Sequence, residues 1–298
     1  MLRYMIKRLL FSLLIIWGVL SMTFLIIHLA PGDPSSLYVK PEIDAETVEN
    51  IRRQMGLDLP LWQQYFHWIR EFATGNFGVS FSHQRPVSEI LAEAIPNTLQ
   101  LTSAVFLPQL ILGVILGMVM AVRRNTKIDF SISTLLLFFY SMPGFWLALM
   151  AIMVFSLKLG WFPSSQMASL HPVDGLWAQA VDRIQHLILP ALVLAIPFGA
   201  YTARFVRSSL SEVLTQDYIR TAMAYGIKSS RIIFKYALKN ALLPLITLLG
   251  FYLPFLLGGA VITEYLFAWP GVGRITVNAI FSHDFPVILA GSFIAALA

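Results

Sequence analysis

The chain has no cysteine and little charge: only 12% of its 298 residues are Asp, Glu, Lys or Arg, about half the usual share of a soluble domain. Without cysteine there is no disulfide framework, thiolate metal site or cysteine nucleophile. So few charges cannot wet the surface of a globule this size, which disfavours soluble enzymes and nucleic-acid binders. No G-x-x-x-x-G-K-[ST] loop occurs, so the usual phosphate cradle for ATP is missing, and there is no H-E-x-x-H. The six histidines (His28, His67, His83, His171, His186 and His283) are scattered without metal-ligand spacing, so no metal site is expected. What is abundant is apolar: 57% of residues are hydrophobic and the mean hydropathy is +0.71. This composition predicts an all-α integral membrane protein.

A bilayer core needs about 20 apolar residues per helix. Five charge-free stretches meet or approach that length: Leu9–Ala30, Asn97–Val122, Phe130–Leu157, Leu187–Ala203 and Ala241–Thr263. Arg204 and Arg207 set the far boundary of the fourth, because an arginine at a helix centre is costly. A further run begins at Phe285 and is still apolar at Ala298, so a sixth span cut short by the end of this sequence is expected. Arg3, Lys7 and Arg8 precede the first run as in a signal peptide. No small-x-small cleavage site follows Ala30, and an uncleaved anchor is the expectation.

Alternate loops differ sharply in charge. One side carries Arg3, Lys7, Arg8, Arg123, Arg124, Lys127 and seven bases between Arg204 and Lys239. It holds 13 of the 21 bases and three of the 16 acids, for a net +10 against −5 on the other side. The positive-inside rule assigns the first set, and the amino terminus, to the cytoplasm.

The spans contain helix-loosening residues: Pro108, Gly113 and Gly117 in the second, Pro143 and Gly144 in the third, Pro190 and Pro197 interrupting the fourth, and Pro244 and Pro254 in the fifth. Gly113-x-x-x-Gly117 is a pattern that permits close helix packing. Outside the spans, amphipathic helices are predicted over Ala45–Met55 and Leu61–Phe72, the latter lying against the membrane surface or a partner. Lys158–His186 reads as a loop whose tryptophans belong to an interfacial belt. Pro270, Gly271 and Gly273 after Trp269 predict a turn. Glu264 and Asp284 flank apolar helix ends, either as solvated termini or as parts of an outer gate or docking surface. No charge lies centrally in the five nearly complete spans, which disfavours a proton- or ion-coupled carrier.

The one long cytoplasmic segment, Arg204–Asn240, reads as helix, glycine break, helix. Val213, Leu214, Tyr218, Ala222 and Tyr225 give helical apolar spacing over Ser211–Ala224, and Gly226 interrupts. Ser229 and Ser230 are candidate caps of a second helix with an apolar face of Ile232, Ile233, Tyr236 and Ala237, ended by Leu243-Pro244. By composition alone it is either a generic basic interfacial loop or a projecting knob that meets a partner.

Asp217-Tyr-Ile-Arg-Thr-Ala-Met-Ala-Tyr-Gly226 followed by Arg231-Ile-Ile-Phe-Lys-Tyr-Ala-Leu-Lys-Asn-Ala-Leu-Leu-Pro244 resembles the EAA loop of binding-protein-dependent ABC importer permeases. Arg220-Thr221-Ala222 stands where the motif has Glu-Ala-Ala, so no role of that glutamate carries over; Gly226, Leu243 and Pro244 fall in place. Leu29-Ala-Pro-Gly-Asp-Pro34, Arg53-Gln-Met-Gly-Leu-Asp-Leu-Pro60, Gly75-Asn-Phe-Gly78, Pro96-Asn-Thr98, Glu264-Tyr-Leu-Phe-Ala-Trp-Pro-Gly-Val-Gly273 and Asp284-Phe-Pro286 resemble the dipeptide, oligopeptide and nickel branch, in order along the chain.

The resemblance implies a six-span type I importer permease fold, with an anchor helix and periplasmic segment over 1–93 and a transmembrane domain over 94–298. It implies a bacterial inner-membrane, multi-pass transport subunit that is not itself an enzyme. ATP and Mg would sit on two separate ABC ATPase subunits and no cofactor on this chain. A sister permease would complete a heterodimer, a periplasmic solute-binding protein would deliver cargo, and membrane lipid would surround the spans, with no nucleic acid involved. Asp217, Tyr218, Arg220, Thr221, Ala222, Gly226, Ile232, Leu243 and Pro244 would form the ATPase-coupling loop. Tyr218, Ala222, Gly226, Ile232 and Leu243 are expected to make the contact. Glu264, Trp269, Pro270, Gly271, Gly273 and Asp284 would serve the outer gate or docking. The expected cargo is a peptide, with nickel complexes, glutathione or another small solute as alternatives within the family. Outside the family stand a self-contained channel or secondary carrier and an intramembrane enzyme.

Overall fold

A computed structural model describes residues 2–29, 59–170, 174–258 and 260–297. The helix expected over Ala45–Met55 and most of the Leu29–Pro34 and Arg53–Pro60 stretches lie outside the described residues. Among those described, the architecture is helical, with a single antiparallel bridge between Val79 and Pro86. Three helices are long and apolar enough to cross a membrane, and two bent pairs could each supply a further span. The chain divides into two compact units.

The first unit comprises Met1–Thr98, Leu257–Val261 and Pro270–Ala298. It contains α1 (Leu2–Leu29), α2 (Leu61–Ala73) and the start of α3 (Val87–Val122). Two further helices, named α11 (Val272–Phe281) and α12 (Phe285–Leu297), complete it. Its core joins Phe24 of α1, Phe72 of α2, Val87 and Leu91 of α3, Val272 of α11 and Ala290 of α12. One face of α2, with Tyr65, Trp68 and Phe72, packs into this core, and the other, with Leu61, Trp62 and Phe66, stays exposed. Tyr65 OH is 2.6 Å from Ser21 Oγ, and the His28 ring stacks on Phe24 with centroids 3.9 Å apart. His28 Nδ1 lies 2.8 Å from the Phe24 carbonyl oxygen within α1, and Nε2 lies 3.2 Å from Gln64 Oε1 of α2, so one ring nitrogen serves the α1–α2 contact.

The second unit, Leu99–Leu256 and Ile262–Trp269, holds the rest of α3 and the helices between. These are α4 (Lys127–Ser141), α5 (Gly144–Lys158), α6 (Leu176–Val213), α7 (Asp217–Ala224), α8 (Ser229–Ala241), most of α9 (Leu243–Gly258) and most of α10 (Val261–Leu266). The third expected span is not one helix: α4 and α5 meet at 99°. Pro143 has no N–H and pushes Met142 to extended ψ of 135°, so the chain turns there. Pro190 and Pro197 do not interrupt the fourth span, contrary to expectation. They lie inside the continuous α6, which also takes in residues 176–186 of the predicted 158–186 loop. The fifth expected span is likewise divided, with a 41° bend before Leu243 and a break at Ala260 ahead of Val261.

The Gly-x-x-x-Gly stripe performs the packing its pattern permits. A Cβ on Gly113 would fall 2.5 Å from Thr202, and one on Gly117 would fall 2.6 Å from the Ala203 carbonyl oxygen. Helix α3 therefore meets α6 almost backbone to backbone. Beside this seam Arg207 of α6 forks onto Asp129 of α4, with Nε and Nη2 each 2.7 Å from a carboxylate oxygen. The Asn125 backbone N–H, at 2.9 Å, adds a third donor to that carboxylate.

Candidate functional site

The α7–α8 segment forms a knob whose shape follows from one helix end. Helix α7 begins at Asp217, six residues later than Ser211, because α6 runs on to Val213 and the 214–216 turn separates the two. It ends in a Schellman arrangement. Gly226 takes φ +73°, its N–H donates to the Met223 carbonyl at 2.9 Å, and the Ile227 N–H donates to the Ala222 carbonyl at 3.2 Å. Glycine is the residue that adopts this left-handed turn without a Cβ penalty.

Helix α8 starts at Ser229 with Lys228 as its cap residue and no side-chain capping bond, so neither Ser229 nor Ser230 caps it as expected. Its middle, Ile232–Ala237, is π-helical.

Inner and outer faces of the knob are distinct. Ile219 and Ala222 of α7 with Ile232, Ala237 and Ala241 of α8 are buried in one cluster with Leu210 of α6 and Ala121 of α3. Ser209 Oγ donates to the Ala241 carbonyl at 2.9 Å, and Asn240 Nδ2 donates to Tyr218 OH at 2.9 Å. Ala222 and Ile232, expected to touch a partner, instead fasten the knob to the spans. The outer face carries Tyr218, Arg220, Thr221, Met223, Tyr225 and Gly226, with Phe234 on α8 and Leu243 and Pro244 at its exit. Asp217 and Arg220 approach at 3.6 Å but are 96% and 72% exposed, a pairing worth little in water.

Sequence reasoning missed Ile219 as the deepest anchor and Met223 and Phe234 as outward apolar groups. Both helix faces carry apolar residues, so spacing alone could not tell which faced in.

The outer candidates are not solvated ends. Glu264 and Trp269 are fully buried in the second unit, where the Trp269 N–H donates to the Glu264 carbonyl at 2.8 Å across a turn with Ala268 at φ +50°. In the first unit Asp284 is fully buried too. Its carboxylate accepts from Ser80 Oγ, from Ser82 Oγ at 2.8 Å, and from the backbone N–H groups of Phe81 and Ser82 at 3.1 and 3.0 Å. Pro270 accepts from Asn97 Nδ2 at 2.9 Å, and the Val272 N–H donates to Thr98 Oγ1 at 2.8 Å, which places Gly271 and Gly273 in the same buried turn. Every one of these residues is built into its unit, and the pattern of apolar flanks around single acids gave no sign of it.

No group of three or more His, Cys, Asp or Glu side chains could hold a metal ion among the described residues.

Residues 113–298 match the family described as the binding-protein-dependent transport system inner membrane component, and residues 1–102 match its N-terminal counterpart. The oligopeptide transport system permease protein AppB of Bacillus subtilis (strain 168) is 40% identical over 295 residues, covering 99% of this chain and 92% of the relative. The glutathione transport system permease protein GsiC of Escherichia coli (strain K12) is 39% identical over 290 residues, covering 97% and 90%. A solved structure of the MetNI methionine ABC transporter in inward-facing conformations aligns with 70% of this chain and 95% of its own at 20% identity and a TM-score of 0.41, and the assignment does not rest on it. On the family match over residues 113–298 and the near-complete coverage by both relatives, this chain belongs to the inner-membrane permease components of binding-protein-dependent ABC importers.

Proposed function

We propose that this chain is the permease subunit of an ATP-driven importer for oligopeptides, worked through the α7–α8 knob by ATPase subunits that carry the ATP and Mg. The observation that carries the reading is the two-sided knob. Its inner face is packed on the ends of α3 and α6, and its outer face presents Tyr218, Met223, Tyr225 and Phe234 to something outside this chain. A push on such an element moves helices, because Ile219, Ala222 and Ile232 leave it no room to slide. Asp217, Arg220, Thr221, Gly226, Leu243 and Pro244 frame that outer surface, while Ala222 and Ile232 position it.

The rest of the assembly follows from the same reading: two ATPases, a sister permease in a heterodimer, a periplasmic binding protein, and a cytoplasmic amino terminus. Glu264 and Trp269 in the second unit, and Pro270, Gly271, Gly273 and Asp284 in the first, each stiffen the turns of their own unit and do not act as docking contact points. Peptide cargo is supported by the oligopeptide relative; the glutathione relative, whose cargo is itself a tripeptide, supports glutathione as the second reading.

Gly226→Asp tests the coupling. Gly226 has φ +73° and open space around it, so the variant is expected to insert into the membrane unchanged while placing charge and strain on the outer face. Co-expressed with the ATPase subunits of its importer, the variant is expected to lose co-purifying ATPase; retention at the level of the unaltered chain sinks the assignment. Uptake of labelled tri- to pentapeptides against labelled glutathione, by vesicles holding the whole system, decides the cargo.

A further inference from the structure

We propose that the cleft between α4 and the carboxyl-terminal part of α6 is a binding site for the phosphate of an anionic phospholipid, with Arg204 as its cation. The inference rests on the permease reading above only for the bilayer in which such lipids occur.

The cleft is a cavity of about 850 Å³. Two arginines line it, and they are in different states. Arg207 is neutralised by Asp129 through the 2.7 Å fork. Arg204 lies one helical turn away, is exposed, and has no carboxylate partner among the described residues. Its guanidinium stands 5.8 Å from the centroid of the Tyr140 ring, which in turn stacks on Tyr201 at 6.3 Å. A cation held over an aromatic face is positioned without being discharged. The cleft therefore keeps one net positive charge, pre-oriented, where the apolar stretch of α6 gives way to Arg204 and Arg207.

The walls decide which anion it suits. Phe130 and Leu137 of α4 line the same cleft and are 74% and 50% exposed. A small water-borne phosphate would leave those walls wet and most of the volume empty. A phospholipid fills both, with phosphate on Arg204, glycerol beside Ser208, and the acyl chain along Phe130 and Leu137. Basic pockets between membrane helices at the cytoplasmic surface bind anionic headgroups for this reason.

The test uses the full chain purified in detergent with phosphatidylglycerol and phosphatidylcholine supplied in equal amounts, and reads bound lipid by native mass spectrometry. Selective retention of phosphatidylglycerol is expected. Arg204→Ala should lower it about fivefold, the loss of one near-surface basic contact. Arg204→Lys should keep at least half, and Arg183→Ala, an equal charge removed elsewhere, should change nothing. An unchanged Arg204→Ala, equal retention of the two lipids, or an equal loss in Arg183→Ala overturns the site. Displacement of the lipid by millimolar inorganic phosphate overturns the lipid assignment in favour of a soluble anion. Arg204→Lys guards against misfolding as the cause of loss. None of these readings involves ATPase or peptide, so failure here and failure of the coupling test are separate results.

Discussion

The Cβ that Gly117 lacks would stand 2.6 Å from the Ala203 carbonyl oxygen and 2.7 Å from Val206 Cβ, where backbone and not a flexible side-chain tip is in the way. Gly117→Ala therefore forces α3 away from α6 and should cost about 1–3 kcal/mol. Gly18, with nothing within 4 Å, should accept alanine with no loss. Melting curves of the two variants in one detergent check the contrast; equal midpoints would refute the close seam. The Arg207–Asp129 fork predicts a different signature. Removing Arg207 leaves a carboxylate with 4% side-chain exposure short of its two charged donors, a loss of about 2–3 kcal/mol. Asp129→Asn with Arg207→Ala should be less harmful than the single changes predict together, so a double-mutant cycle should return a coupling energy of about 1–3 kcal/mol. The glycine stripe was visible in the sequence by its spacing. The ion pair was not: its partners are 78 positions apart, and nothing local marks Asp129 as different from any acid at a helix start.

At the scale of the element, helix ends explain both what was legible and what was not. Gly226 announced its break because only a residue free of Cβ enters φ +73° at no cost, and the two Schellman bonds to Met223 and Ala222 realise that signal. Gly226→Ala should raise proteolytic nicking between α7 and α8 through about 1 kcal/mol of left-handed strain, and Gly226→Asn should do so less. Limited proteolysis ranking the three forms alike would argue against a strained turn. Ser229 and Ser230 misled because Lys228 already supplies the extended residue before α8, which leaves both serines in the first helical turn and not at the capping position. Proline misled in both directions. Pro143 turned a predicted span through 99°, whereas Pro190 and Pro197 sit inside 38 unbroken residues of α6. One difference is packing: Leu189 just before the first of those prolines, and Val193 and Ala195 between the two, are all buried, and that tertiary grip outweighs a lost hydrogen bond. Burial of Glu264 and Asp284 is also tertiary, since the four donors around Asp284 come from residues some 200 positions earlier.

For the whole molecule the decisive quantity is which side of the membrane each basic segment occupies, and the expectation for it comes from charge, not from packing. Thirteen bases against three acids on one set of loops gives +10, and the other set gives −5. By the positive-inside rule a difference of that size predicts an orientation with the first set in the cytoplasm. Tyr225, 83% exposed on the outer face of the knob, belongs to the first set, and Thr74, exposed after α2, belongs to the second. The absence of cysteine makes both positions addressable without background. Tyr225→Cys should react with a membrane-impermeant maleimide only in inside-out vesicles, and Thr74→Cys only in right-side-out ones. Labelling of Tyr225→Cys should also fall when the ATPases are present, since a partner seated on that face covers the thiol, while labelling of Thr74→Cys should not change. If Tyr225→Cys reacts from the periplasmic side, no ATPase can reach the knob, and the coupling reading fails together with the orientation on which it stands.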